Sequence, residues 1–257
     1  MSIQEPAADP FVVLHGIAWE QYEKILDALG ENHLRHTYDR GTLEMRGLVY
    51  GVEWKSYMAF LDALGDFSLR HSFDRGTLEM MSPRRDHDWV KRLIGRFIES
   101  MALDLDIPIQ SVGSMTLSAE AAERGLQPDE SYYVQNEPRV RGQSTYDPNI
   151  DLPPDLSVEV DVTHSSVPRL PLFAAIGIPE VWRHSGGDLR FFRLVKKGKH
   201  KGEYQETKHS LAYPFLQADD VNEILNQREG MGENALVRLF LERARDRFQS
   251  NPSGRKR

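Results

Sequence analysis

Apolar and polar positions alternate through Leu156-Ser157-Val158-Glu159-Val160-Asp161-Val162. This pattern predicts a strand with Ser157, Glu159 and Asp161 on one face and the valines on the other. Elsewhere the period is helical. Val90, Ile94, Phe97, Ile98 and Met101 form an apolar stripe behind Ser82-Pro83, so a long helix should begin there with proline in its first turn. Residues 107–117 read as a strand interrupted by Gly113, 120–123 as a helical turn and 129–135 as a strand. A helix over 169–176 should stop at Gly177. Strands are expected at 180–183, 189–194 and 204–207, with Gly186-Gly187-Asp188 as a hairpin turn and helices over 220–226 and 233–247. The mixed order predicts an α/β fold, in the sense of an α+β mixed sheet flanked by helices.

Residues 16–45 repeat as 51–80 at an offset of 51 − 16 = 35. Trp19 returns as Trp54, Tyr22 as Tyr57 and Asp27-Ala28-Leu29-Gly30 as Asp62-Ala63-Leu64-Gly65. His36, Asp39-Arg40-Gly41 and Glu44 return as His71, Asp74-Arg75-Gly76 and Glu79. Each copy reads as a short helix stopped by glycine, then two strands around Asp-Arg-Gly. Two copies are too few for a solenoid, so the pattern predicts a tandem duplication of one α-β-β unit. The expected organisation is an extra copy in 1–50, a main domain in 51–217, and C-terminal helices with a disordered basic tail in 218–257.

A chain of 257 residues, 40% of them hydrophobic, can bury one substantial core. With no cysteine it has no disulfide framework, thiol nucleophile or thiolate metal site. No run is apolar enough to span a membrane and the start lacks a signal-peptide pattern, which together predict a cytoplasmic protein. The net charge of −7 argues against a surface built throughout for polyanions. A local basic groove could still form from Arg84, Arg85, Lys91, Arg92 and Arg96, whereas the run 196–201 reads as a solvated hairpin tip. No Walker loop, Gly-x-Ser-x-Gly elbow or His-Glu-x-x-His occurs.

Two carboxylates in an apolar strand call for protons, partners or a cation. If the strand carrying Pro128-Asp129-Glu130 pairs with the acidic strand, Asp129 and Glu159 converge and could share a hard divalent cation such as Mg²⁺ or Mn²⁺. Such an ion polarises a phosphate and lowers the pKa of a bound water. The ordered motifs Pro128-Asp129, Asp155-Leu156-Ser157-Val158-Glu159-Val160 and Gly177-Ile178-Pro179-Glu180-Val181-Trp182 resemble the Uma-two family of the PD-(D/E)XK nuclease superfamily. Gly76-Thr77-Leu78-Glu79-Met80-Met81-Ser82-Pro83, His87 and Gly113-Ser114-Met115-Thr116 extend the resemblance over most of the chain.

The resemblance implies a restriction-endonuclease-like core, with Asp129 and Glu159 as metal-binding acids; Asp161, on the same strand face as Glu159, is the candidate third acid. The superfamily pattern has lysine where this chain has Asp161. Arg169, on the next helix, is then the candidate to hold phosphate or stabilise the transition state, but it cannot act as a base. Asp161 or His87 could assist a metal-bound hydroxide. The plainer alternatives are an ion pair for Asp129 and Glu159, hydrogen bonds from Asp161 to Thr163 or Ser165, and packing for His87.

The expected function is metal-dependent endonuclease activity on nucleic acid, DNA in preference, with a homodimer suited to double-strand cutting. A nuclease-fold scaffold that binds nucleic acid or protein without cutting is the alternative. A phosphoesterase acting on a small molecule is a third reading.

Overall fold

The computed structural model describes residues 11–30, 36–65, 67, 69–81, 85–143, 145–147, 150–161, 167–195 and 202–250, with backbone only at 11, 46 and 85–88. Ser82-Pro83, Arg84, Thr163, Ser165, the run 196–201, the tail 251–257 and the side chains of Arg85 and His87 lie outside the described residues. In chain order the elements begin with β1 (Phe11–His15), α1 (Trp19–Leu29), β2 (His36–Asp39), β3 (Thr42–Arg46), β4 (Leu48–Tyr50), α2 (Trp54–Leu64), β5 (Arg70–Asp74) and β6 (Thr77–Met81). Next come α3 (Arg85–Asp104), β7 (Gln110–Ser111), β8 (Leu117–Ala119), a 3-10 turn (Glu120–Ala122), β9 (Arg124–Leu126), β10 (Glu130–Tyr133) and α4 (Glu137–Val140). The chain continues through β11 (Leu156–Asp161), α5 (Arg169–Ile176), β12 (Glu180–Ser185), β13 (Asp188–Val195), β14 (Glu203–Thr207), α6 (Ala218–Leu225) and α7 (Glu233–Ser250). The fold is mixed α/β, as the order of periodicities implies.

The chain divides into two compact units, and they do not follow the linear division expected from the sequence. The first gathers 1–83, 118–126 and 166–169; the second gathers 84–117, 127–165 and 170–257. Both repeats belong to the first unit, while the C-terminal helices belong to the core of the second. The cause is packing between residues distant in sequence. In the first unit β9 pairs antiparallel with β5. In the second, Leu225, Leu236 and Phe240 bury against the α3 stripe, with Phe97 and Phe240 stacked at 4.5 Å.

In the first unit the two repeats adopt the same local structure. One three-stranded sheet runs β1-β3-β2; the other runs β4-β6-β5-β9-β8. Each helix ends at a glycine with positive φ, Gly30 at 68° and Gly65 at 57°. Arg40-Gly41 and Arg75-Gly76 make equivalent left-handed turns, at 44° and 85° in one copy and 42° and 92° in the other. Behind each turn lies a stacked aromatic pair with centroids 4.5 Å apart, Tyr22 on Tyr38 and Tyr57 on Phe73.

The second unit is built on a six-stranded sheet in the order β14-β13-β12-β11-β10-β7. Among its described strand pairs only β11–β12 is parallel, joined through α5, which Gly177 ends at φ 93°. Leu156, Val158 and Val160 face the core beneath α3, so Ser157, Glu159 and Asp161 take the opposite face, as their alternation requires. Gly186 and Gly187, both at positive φ, close a two-residue hairpin between Ser185 and Asp188. Asp220 ties α6 to α7 by accepting hydrogen bonds from Arg243 and Arg247 at 2.8–3.1 Å.

Three differences from the sequence reading have local causes. The single strand expected over 107–117 is two short strands in different sheets, β7 and β8, because Gly113 turns the chain at φ 57°. β9 was not expected, since a glycine in a three-residue strand leaves no alternation to read. β1 and β4 lie outside the α-β-β pattern and add a strand to each copy.

Candidate active site

β10 and β11 pair antiparallel, with Glu130 opposite Val158 and Ser131 opposite Ser157. The ladder stops there, and Asp129, just before β10, bonds to the backbone on either side of Glu159. Both acids are buried, at 2% and 1% exposure, on the face away from α3. There the strand ladder gives way to a side chain: the Val160 amide donates to Asp129 Oδ2 at 2.7 Å, and the Asp129 amide donates to the Val158 carbonyl at 3.3 Å. The Asp129 carboxylate is thereby anchored to the strand that carries Glu159. Ser131 and Ser157, both fully buried, continue the polar face with their hydroxyls 2.9 Å apart.

The parallel β11–β12 register sets Arg183 beside Glu159. Its Nε and Nη2 donate to Asp161 Oδ2 at 3.1 and 2.5 Å. Asp161, whose alternatives from sequence were a metal or a hydroxyl nearby, is therefore engaged by a guanidinium from the neighbouring strand. Arg183 was not found in the sequence reading. Its signal is its place in β12, but only the strand register reveals it, and register is not written in one strand alone.

The surrounding acids have structural partners. Asp155 Oδ2 accepts from the amides of Val134 and Asn136, each at 2.8 Å, and its Oδ1 accepts from Asn136 Nδ2 at 2.6 Å. Glu180, 1% exposed, accepts from Trp182 Nε1, Ser210 Oγ and the amides of Leu211 and Ala212. Burial raises its pKa, against those hydrogen bonds. Glu130 points to the α3 side, 3.7 Å from Lys91. Burial raises its pKa first; Lys91 opposes the shift, and the charges of Glu99 and Asp129 add to it.

Of the basic residues expected to line a groove, Lys91 and Arg96 have partners of their own. Besides the Lys91 pair, Arg96 donates to Glu233 at 2.6 Å and to Asn234 at 2.7 Å. Arg169 belongs to the first unit. It is 5% exposed, and its Nη1 donates to Ser72 Oγ at 2.5 Å and to the His71 carbonyl at 3.4 Å. Glu79, also of the first unit, is 3% exposed and accepts from the Val167 amide at 3.3 Å. Its repeat partner Glu44 is exposed.

The second unit thus brings Asp129, Glu159 and Asp161 onto one face of two adjacent strands and adds Arg183. Among the described residues no group of three or more His, Asp or Glu side chains is placed to hold a metal. Two buried carboxylates on neighbouring strands are nevertheless a fit for Mg²⁺, which commonly takes one or two carboxylates and completes its octahedron with water and substrate phosphate. Oxygen donors without sulfur suit a hard cation.

No curated protein matches the sequence. A family model, Uma2, described as "putative restriction endonuclease", matches residues 59–224. Among solved structures the chain is similar to one described as a putative nuclease belonging to DUF820 from Anabaena variabilis ATCC 29413. The two share 12% identity with a TM-score of 0.40, over 66% of this chain and 91% of that one. Among the described residues, no helix is long and apolar enough to cross a membrane.

Proposed function

Because the chain belongs to the Uma2 family, whose model covers residues 59–224, we propose that it is a metal-dependent endonuclease hydrolysing phosphodiester bonds of nucleic acid, with DNA the preferred substrate. The observation that carries the reading is the buried Asp129, bonded to the backbone on either side of the equally buried Glu159. In this reading Asp129 and Glu159 hold Mg²⁺ or Mn²⁺. The bound ion supplies Lewis-acid polarisation of the phosphate and a water made acidic enough to attack.

The chain's own residues do the rest. The Val160 amide orients Asp129, so the acid presents a fixed geometry rather than a mobile rotamer. Arg183, with a side chain 36% exposed, ion-pairs with Asp161 and presents a permanent cation beside Glu159 that can meet a phosphate oxygen. It cannot take a proton, so it does not replace the lysine of the superfamily pattern as a base. A homodimer and a cytoplasmic setting belong to the same proposal, since cutting both strands of a duplex calls for two sites.

The test is cleavage of plasmid DNA and of labelled DNA and RNA oligonucleotides with Mg²⁺ or Mn²⁺. Cutting that disappears in Asp129→Asn and Glu159→Gln is expected; cutting that persists in both variants would defeat the assignment. One observation favours a second reading, a nuclease-fold scaffold without hydrolysis. Asp161 stands in the lysine position and Arg183 is engaged with it. Calorimetry separates the two, because the scaffold reading predicts no Mg²⁺ heat that depends on Glu159.

A further inference from the structure

The two repeats carry the same aromatic platform, covered in one copy and open in the other. In the second copy the Tyr57 ring centroid lies 5.4 Å from Trp54, 5.7 Å from His71 and 4.5 Å from Phe73. In the first copy the Tyr22 ring centroid lies 5.1 Å from Trp19, 5.7 Å from His36 and 4.5 Å from Tyr38. Tyr57 and Phe73 are fully buried, whereas Trp19 is 57% exposed and Tyr22 and Tyr38 are part-exposed.

The second copy also shows what covers such a platform. β9 runs antiparallel to β5, with Leu126 opposite Ser72, Gly125 opposite Phe73 and Arg124 opposite Asp74. Each position has a physical requirement. Arg124 Nε donates to Asp74 Oδ1 at 2.9 Å. Gly125 lies against the stack: a Cβ there would overlap the Tyr57 hydroxyl and come within 2.9 Å of its Cε1 and Cζ. Leu126 is fully buried.

Subtracting the offset of 35 gives the matching edge of the first copy, Thr37, Tyr38 and Asp39 of β2. Among the described strands β2 pairs with β3 alone. Among the described residues, Asp39 is met only by its neighbour Arg40, at 3.5 Å with both side chains largely exposed, whereas Asp74 receives both Arg75 and Arg124.

We propose that the outer edge of β2 docks an extended segment of a partner protein whose sequence runs basic–glycine–apolar, antiparallel to β2. The basic side chain meets Asp39, the glycine lies against Tyr22 and Tyr38, and the apolar residue falls opposite Thr37. Main-chain hydrogen bonds supply affinity and the alternate side chains supply selectivity, as in other strand additions. The chain's undescribed segments do not offer the pattern. Residues 1–10 contain neither glycine nor a basic residue, 196–201 has lysine after its glycine, and 251–257 has arginine after its glycine.

The probe is a blocked synthetic peptide of residues 119–128, which carries Arg124-Gly125-Leu126. It is titrated into the full chain by isotope-edited NMR, with Trp19 as reporter. Saturable binding is expected, with Kd below about 1 mM. Weakening by about tenfold or more is expected in Asp39→Lys. Asp39 has a largely exposed side chain, so the melting curve of that variant should match the parent's. The peptide with valine in place of its glycine should not bind.

Absence of binding at millimolar peptide overturns the proposal. So does binding indifferent to Asp39→Lys, which would mean that the peptide exchanges with β9 instead. Concentration-dependent self-association that Asp39→Lys abolishes would assign the edge to a second copy and equally overturn it.

Discussion

Asp155→Ala should strongly destabilise the second unit, and the size of the effect follows from the donors it abandons. The carboxylate accepts from the Val134 amide, the Asn136 amide and the Asn136 side chain, and the residue is 4% exposed. Alanine removes every acceptor at once. A buried donor left unsatisfied costs about 1–3 kcal/mol. Val134 is 9% exposed and takes the upper part of that range; Asn136 is part-exposed, so water can recover some of its loss. Together the two amides give about 2–5 kcal/mol, a large share of the roughly 5–15 kcal/mol of a typical domain. Urea denaturation followed by far-ultraviolet circular dichroism should show the midpoint fall by about 1 M or more with little change in slope. Asp155→Asn keeps one oxygen acceptor and should lose less than Asp155→Ala. A loss below about 1 kcal/mol for Asp155→Ala would refute the reasoning, because it would mean that the amides find other acceptors at no cost.

His71 gives a pH-dependent prediction. Its Nδ1 meets the Leu69 carbonyl at 2.8 Å, which can only accept, so a neutral ring leaves Nε2 to accept from the Tyr57 hydroxyl at 3.0 Å. Burial lowers its pKa from 6.5 to about 4; the Leu69 hydrogen bond opposes the shift and the charge of Arg169 adds to it. The unfolded chain therefore takes up a proton that the folded chain refuses. Stability is intact above pH 6.5 and falls as pH drops toward 4, by roughly 3 kcal/mol in all; His71→Gln should flatten that part of the denaturation-midpoint profile. Gly125→Val should cost about 1–3 kcal/mol or more by overpacking. Adding Tyr57→Phe should recover only part of this, since the ring carbons remain at 2.9 Å, and thermal melts of the parent, the two single variants and the double variant would check it. A double-mutant cycle on Asp161 and Arg183 should give a coupling of about 1 kcal/mol, kept low by the exposure of the arginine. A cycle near zero would remove the ion pair as the explanation of Asp161.

The acidic strand was legible because period-two alternation fixes faces without knowledge of neighbours: Leu156, Val158 and Val160 reach the core, and Glu159 takes the opposite face. The α3 stripe was legible for the same reason at helical period. What alternation cannot supply is register. The place of Arg183 beside Glu159 depends on how β12 aligns with β11, and that alignment is set by packing across the sheet. The division into units was hidden for a related reason. Residues 118–126 and 166–169 join the first unit through contacts with residues far upstream, including β9 on β5 and Arg169 on Ser72, and neither segment has a periodicity that announces this. Arg169 was singled out by motif position alone, which says nothing of the hydroxyl and carbonyl its guanidinium meets.

The β9–β5 pairing also governs how the chain can be dissected. A fragment ending at residue 83 would retain both repeats yet omit 118–126, so it would leave the β5 edge bare along with that of β2. Two uncovered strand edges over aromatic stacks invite fibrillar association. Expression trials should therefore join 118–126 to residue 83 through a flexible loop and carry 166–169 as well. Such a fusion restores the Arg124–Asp74 pair and seats Gly125 against Tyr57, leaving one edge to be managed instead of two.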